Sequence, residues 1–214
     1  IYIPMLQKYV NESYKYALLF VVPMCVGIAM FAAPVLRIFY FTNAEYVAGA
    51  SALAILCIGM TFYSIFAIST SIVQGIGNPR IPMYILIIGS VVTGGLCWIF
   101  VPTMGIAGGA LGTTVGCLVM MIPIIYFVFK LTETRPQTMS YVKIVAASLI
   151  MGAFALIVPK NPYLLFPGII VCIIIYFFAL ILVKFFTRED IESLRELSSK
   201  VGPLSSIVNK LLNF

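Results

Sequence analysis

The chain reads Gln74-Gly-Ile-Gly-Asn-Pro-Arg80 and then, after a long apolar run, Gly105-Ile-Ala-Gly-Gly-Ala-Leu-Gly112-Thr-Thr-Val-Gly116. No charged residue occurs between Ile81 and Phe129, and the one interior break is Pro102-Thr-Met-Gly105. A run of this kind has no polar face to present to water. A helix needs about 20 apolar residues to cross a bilayer, so this stretch predicts two transmembrane helices joined by a tight turn.

The composition of the whole chain also indicates a protein that lies in a bilayer. Hydrophobic residues make up 62% of the 214 residues and charged residues 9%, whereas soluble domains are about half apolar and a quarter charged. The chain is therefore predicted to be an integral membrane protein. The net charge of +6 does not indicate nucleic-acid binding, because the cations lie between apolar runs and not in one patch.

The pattern of the central stretch recurs along the rest of the chain, which predicts an all-α, polytopic membrane protein with six transmembrane helices and an amphipathic C-terminal tail. Residues 1–186 form the predicted transmembrane region, with a polar loop or interfacial segment before residue 16. The predicted helices span 16–36, 46–73, 81–101, 106–129, 144–158 and 163–183. Residues 187–214 are predicted to form the tail, which lies on the cytoplasmic membrane face.

The distribution of cations predicts the orientation. Six helices bring both termini to one side, and that side carries 11 of the 13 Lys and Arg residues. By the positive-inside rule, both termini are then cytoplasmic. We expect the protein to lie in the plasma membrane.

The residues needed for catalysis are missing from the apolar runs. The chain has no histidine, and its seven acids lie outside the predicted helices. Since general bases and metal ligands are drawn mainly from these residue types, we expect no catalytic site, no metal and no cofactor, and no enzymatic activity. The five cysteines lie inside apolar runs without a Cys-x-x-Cys pair and are interpreted as packing residues.

Two groups of residues are candidates for specific roles. Gly108, Gly112 and Gly116 recur every four residues and form a small face on which another helix can pack closely. Five polar residues lie nearest to the predicted helix ends and are the candidate substrate-binding residues: Arg37, Asn43, Gln74, Asn78 and Arg80. A cation at the mouth of a cavity can bind a phosphate; the alternative is a solvated loop charge.

Several segments resemble a known family. They read Leu19-Phe-Val-Val-Pro23-Met-Cys-Val-Gly27, Ala33-Pro34-Val-Leu-Arg-Ile-Phe39, Gly75-Ile-Gly77-Asn-Pro79, Pro102-Thr-Met-Gly105-Ile-Ala-Gly-Gly-Ala110 and Thr187-Arg-Glu-Asp190. In their order and spacing they resemble the polysaccharide-biosynthesis flippases of the multidrug/oligosaccharidyl-lipid/polysaccharide exporter superfamily.

The resemblance implies that the chain is the C-terminal part of a transporter of about fourteen transmembrane helices that moves lipid-linked oligosaccharide or polysaccharide precursors by alternating access. Implied partners are membrane lipids, the lipid-linked sugar substrate and the remaining transmembrane helices of the full-length protein. Two alternatives stay open: a multidrug or cation antiporter of the same superfamily, and a non-transporting membrane assembly subunit.

Overall fold

The computed structural model describes residues 2–39, 48–134, 138–157 and 165–182. These ranges are helical and contain no strand. The helices are α1 (Tyr2–Met30), α2 (Ala32–Phe39), α3 (Ala50–Gly75), α4 (Arg80–Met104), α5 (Ile106–Thr132), α6 (Thr138–Ile157) and α7 (Leu165–Leu182). Five of them, α1 and α3 to α6, are long and apolar enough to cross a membrane, and α7 contains a shorter apolar helix. The predicted class, an all-α polytopic membrane protein, is confirmed; the predicted tail at 187–214 lies outside the described residues, as does Asn43.

The segment before residue 16 is not a loop. α1 begins at Tyr2 and runs without interruption to Met30. Val10 and Tyr14 lie one turn apart on the buried face and are 2% and 4% exposed, while Lys8 and Glu12 form an ion pair of 3.8 Å on the other face. The apolar residues of this segment do recur with helical spacing. A search for uninterrupted apolar runs overlooks such a helix, because its other face is polar. Similarly, α6 begins at Thr138, before the predicted start at residue 144.

The boundary between α1 and α2 follows from a proline. Pro34 has no N–H to donate to the carbonyl of Met30, and its ring crowds that carbonyl. The helix therefore breaks at Phe31, although backbone hydrogen bonds from Phe31 to Gly27 (3.0 Å) and from Val35 to Phe31 (2.9 Å) hold the two helices in sequence.

α4 and α5 form an antiparallel hairpin around Gly105, whose φ of 59° is readily adopted by a residue without a Cβ. α5 packs on both α4 and α3, and α1 connects this half to α6 and α7 by packing on α3 and α6. One buried cluster joins α1, α3 and α5, and a second joins α1, α6 and α7.

The two ends of the bundle can be named from the course of α1 and α3. Tyr14 of α1 contacts Ser69 near the end of α3, whereas Cys25, later in α1, lies near Cys57, earlier in α3, so the two helices run antiparallel. Because α2 follows α1 and packs on α3, the antiparallel course of the two long helices places α2 toward the beginning of α3. We call the end at which α4 begins and α5 ends the Arg80 end, and the opposite one the Arg37 end.

Candidate functional site

An apolar groove of about 500 Å³ runs between α1–α2 and α7, on the half of the bundle toward the Arg37 end. We call it the α1–α7 groove. Its floor includes Leu19, Phe31 and Cys172, which are buried, and its rim includes Met24 and Ile173, which are 63% and 48% exposed. The other described residues that line it are Phe20, Pro23, Gly27, Ile28, Val35, Met151, Ile169, Tyr176 and Phe177.

Among the described residues, the lining of this groove carries no free polar side chain, because its one hydroxyl is engaged. Pro23 cannot donate to the carbonyl of Leu19, four residues earlier, and would leave that carbonyl without a helix partner. The hydroxyl of Tyr176 donates to this oxygen at 2.8 Å. The rim of the groove is apolar and exposed, and the groove is suited to a hydrocarbon chain, since burying an apolar chain there leaves no polar group unsatisfied.

Polar contacts gather at the Arg80 end of α1. The Tyr14 hydroxyl and Ser69 Oγ lie 2.6 Å apart and are both buried. Seven residues before Tyr14 in α1, Gln7 Nε2 donates to the carbonyl of Glu133 at 2.9 Å and to that of Thr132 at 3.4 Å. Those carbonyls belong to the end of α5, where the helix can no longer satisfy them, so α1 caps α5 through a side chain.

Lys15, which the sequence assigns to a cytoplasmic segment, is buried in α1 with 6% of its surface exposed. Glu12 likewise lies within α1, where it pairs with Lys8, so the expectation that every acid lies outside the helices is wrong for this residue. Within the described ranges, no three His, Cys, Asp or Glu side chains come together in a way that could hold a metal ion.

The candidate polar residues do not form one cluster. Arg37 is exposed in the last turn of α2, while Gln74, Asn78 and Arg80 are exposed around the turn between α3 and α4. The 26 residues of α3 make this helix about 39 Å long, and the two groups lie toward its opposite ends. One headgroup therefore cannot contact both ends at once.

Among the candidates that the structure describes, Arg37 is the nearest to the α1–α7 groove, since Val35, two residues before it, lines that groove. Around the other group, the turn between α3 and α4 depends on Gly77, whose φ is 94°. The backbone N–H groups of Gly77 and Asn78 close this turn onto Gln74 (2.9 Å) and Val73 (3.1 Å).

The glycines of α5 lie against α4 at backbone distance. A Cβ on Gly108 would overlap the carbonyl of Phe100, and one on Gly112 would lie 3.0 Å from the backbone nitrogen of Cys97. A Cβ on Gly116 would collide with Thr93. On the other side of α5, Thr114 Oγ1 donates to the carbonyl of Ile55 in α3 at 3.0 Å.

The sequence reasoning missed the burial of Tyr14 and Lys15 and the contact between Tyr14 and Ser69. A usable signal is present, because Gln7, Asn11, Tyr14 and Lys15 follow helical spacing and would share one polar stripe on an amphipathic helix. The interpretation of residues 1–16 as a polar loop or an interfacial segment removed this spacing from consideration.

Residues 3–176 match the sequence model of the family described as Lipid II flippase MurJ. A segment of 148 residues is 30% identical to an uncharacterized membrane protein of Methanocaldococcus jannaschii and covers 69% of this chain and 28% of that relative. The chain thus spans less than a third of the length of the relative it matches.

Proposed function

Because the chain belongs to the lipid II flippase MurJ family, a family of transporters, we propose that it forms part of a flippase that moves a lipid-linked saccharide precursor across the membrane. The family description names lipid II, and the sequence motifs resemble the flippases of polysaccharide precursors. In both cases the substrate joins a long lipid to a phosphate-linked saccharide, and this shared chemistry defines the proposed substrate class.

The observation that carries the proposal is the α1–α7 groove. A flippase must move a polar headgroup across the bilayer while the lipid chain stays in hydrocarbon, which requires an apolar opening on the side of the bundle. The groove has a volume of about 500 Å³ and an apolar rim, and its one lining hydroxyl is bound to Leu19. The lipid chain of the substrate would lie along Met24 and Ile173.

The headgroup requires cations or hydrogen-bond donors beside the lipid chain. Arg37 is exposed at the end of α2 that follows the groove-lining Val35, so we propose it as the contact for a phosphate. Asn43, outside the described residues, and Gln74, Asn78 and Arg80, at the Arg80 end, stay predictions as headgroup contacts. Two separated sets of contacts are compatible with alternating access, in which the two openings are used in turn.

The location and completeness of the transporter belong to the same proposal. The Lys and Arg distribution supports cytoplasmic termini and an orientation with the Arg80 end inside, and we propose that the membrane is the plasma membrane. Because the chain spans 28% of its relative, we propose that further transmembrane helices complete the transport path, and that Gly108, Gly112 and Gly116 serve the packing of α5 on α4.

The experiment is a flipping assay with the intact native protein in liposomes and a fluorescent lipid-linked saccharide. Met24→Trp and Ile173→Trp fill the α1–α7 groove and should slow flipping severalfold, and Arg37→Gln should weaken substrate binding. Val91→Trp is the matched control, since Val91 is 72% exposed on α4 and does not line the α1–α7 groove.

Unchanged flipping in both groove-filling variants would remove the groove from the transport path. If the wild-type protein does not flip the substrate, the transporter assignment itself is wrong, and the assembly-subunit alternative gains support.

A further inference from the structure

A second groove runs along the outer face of the α4–α5 hairpin. It has a volume of about 450 Å³, and we call it the α4–α5 groove. Its lining residues are Ile81, Tyr84, Ile85, Ile88, Gly89, Val119, Pro123 and Phe127. Tyr84 and Ile88 on its rim are 58% and 62% exposed. In a bilayer, an open apolar groove of this kind is filled by hydrocarbon.

The register of the hairpin shows which residues lie at the end of this groove. A Cβ on Gly112 would meet Cys97, and a Cβ on Gly89 would meet the side chain of Met120. Residues of α4 and α5 are therefore paired in antiparallel order, and the register does not shift between these two pairs. Extended toward the Arg80 end, the same register brings Arg80 level with Phe129, the residue before Lys130.

Both cations continue the stripes of residues that line the groove. Arg80 precedes Tyr84 by four residues, and Tyr84 precedes Ile88 by four. On α5, Lys130 follows Phe127 by three residues. Residues three or four apart share a helix face, so Arg80 and Lys130 extend the two walls of the groove by one turn each.

The two helices place positive charge at the end of the α4–α5 groove that lies toward the Arg80 end. Neither α4 nor α5 contains an acidic residue. Glu133 follows directly after α5, but in the described part of the chain neither Arg80 nor Lys130 forms an ion pair with a carboxylate. The ammonium of Lys130 lies 5.9 Å from the centre of the Tyr126 ring. Arg80 is also the first residue of α4, where the helix dipole favours an anion.

We propose that the α4–α5 groove binds one anionic phospholipid, with an acyl chain along Ile81, Ile85 and Ile88 and the phosphate between Arg80 and Lys130. An apolar groove that ends in two cations matches a lipid with an anionic headgroup. A lipid with a neutral headgroup would fill the groove without gaining from the two cations. Such a lipid requires only the membrane-embedded hairpin, so its binding is independent of the proposed flippase activity.

The test measures lipid binding to the intact native protein in detergent by native mass spectrometry, with phosphatidylglycerol and phosphatidylcholine as probes. A cation near a membrane surface contributes about 1 kcal/mol to the attraction of an anionic lipid, or about a fivefold change in affinity. We expect Arg80→Gln and Lys130→Gln each to lower phosphatidylglycerol binding about fivefold. Phosphatidylcholine binding should stay unchanged.

The matched control is Lys8→Gln, which removes one exposed cation from α1 at the same end of the bundle and should leave phosphatidylglycerol binding unchanged. Ile88→Trp fills the groove without a change in charge and should lower binding of this lipid as well.

Equal binding of the two lipids, or wild-type affinity in the Arg80→Gln/Lys130→Gln double variant, would overturn the proposal. So would crosslinking of a photoreactive residue at position 88 to another protein segment and not to lipid, because a helix would then occupy the groove. Flipping activity is measured separately, and its loss or retention does not bear on this result.

Discussion

The hydroxyl of Tyr176 in α7 donates a hydrogen bond of 2.8 Å to the carbonyl oxygen of Leu19 in α1. This carbonyl lacks its usual helix donor, because the residue four positions later is Pro23. A bilayer offers no water to an unsatisfied carbonyl. The proline of one helix and the tyrosine of another are therefore complementary, and their contact ties α7 to α1 beside the α1–α7 groove.

Tyr176→Phe removes this donor and should lower the free energy of unfolding by about 1 kcal/mol, the size typical of a hydrogen bond between membrane helices. In a Pro23→Ala background the helix N–H at position 23 can satisfy Leu19, so the same change should cost less. Equilibrium unfolding in detergent measures both values. Tyr63→Phe, at a position 45% exposed on α3, is the control. An equal cost with and without Pro23 would contradict the pairing.

Glycine replacements in the hairpin should have opposite signs. Gly108→Ala brings a Cβ into the carbonyl of Phe100, and Gly112→Ala brings one to 3.0 Å from the backbone nitrogen of Cys97. Each should destabilise the protein by about 1–3 kcal/mol through overpacking. A Cβ on Gly95 would instead point into open space, with no neighbouring atom within 4 Å, so Gly95→Ala should gain up to about 1 kcal/mol of helix propensity. Thermal unfolding in detergent gives the comparison; destabilisation by all three changes would argue against specific α4–α5 packing.

The contact between Tyr14 and Ser69 should be visible as an energetic coupling. Tyr14→Phe and Ser69→Ala each remove one partner of the buried 2.6 Å hydrogen bond, and each should cost about 1 kcal/mol. The double variant should cost less than the sum, since the bond is lost only once. Ser71→Ala is the control, because exposed Ser71 donates to the carbonyl of Ala67 in its own helix. Additive effects would show that the two hydroxyls do not stabilise each other.

Cysteine labelling in cells tests the proposed orientation. In a background without the five native cysteines, Asn78→Cys should react with a membrane-impermeant maleimide only after the membrane is opened. Arg37→Cys should react on intact cells, because cations are enriched on the cytoplasmic side and, in the described part of the chain, Arg80 and Lys130 lie at the Arg80 end. Lys8→Cys should behave like Asn78→Cys, since neighbouring Gln7 contacts the end of α5. Labelling of positions 37 and 78 from the same side would contradict the topology.

The candidate site was predictable in part. Arg37 and Arg80 could be recognised as cations next to apolar runs, because the position of a charged residue beside an apolar run can be read directly from the sequence. Their separation by the length of α3 could not, since it depends on the direction in which α1 and α3 pack. Lys15 and Tyr14 escaped recognition because a half-polar helix, such as the first half of α1, has a mean hydropathy close to that of a loop.

The sequence alone determined that this protein is a bundle of membrane helices. A bilayer acts on each segment separately, so an uncharged run such as 81–129 must become helical wherever it lies in the bundle. The tertiary structure decided which helices adjoin, and with that the two grooves and their charges. The bond between Leu19 and Tyr176 joins residues 157 positions apart, and no local pattern specifies such a pairing. It arises from side-chain packing between helices that are alike in their apolar character.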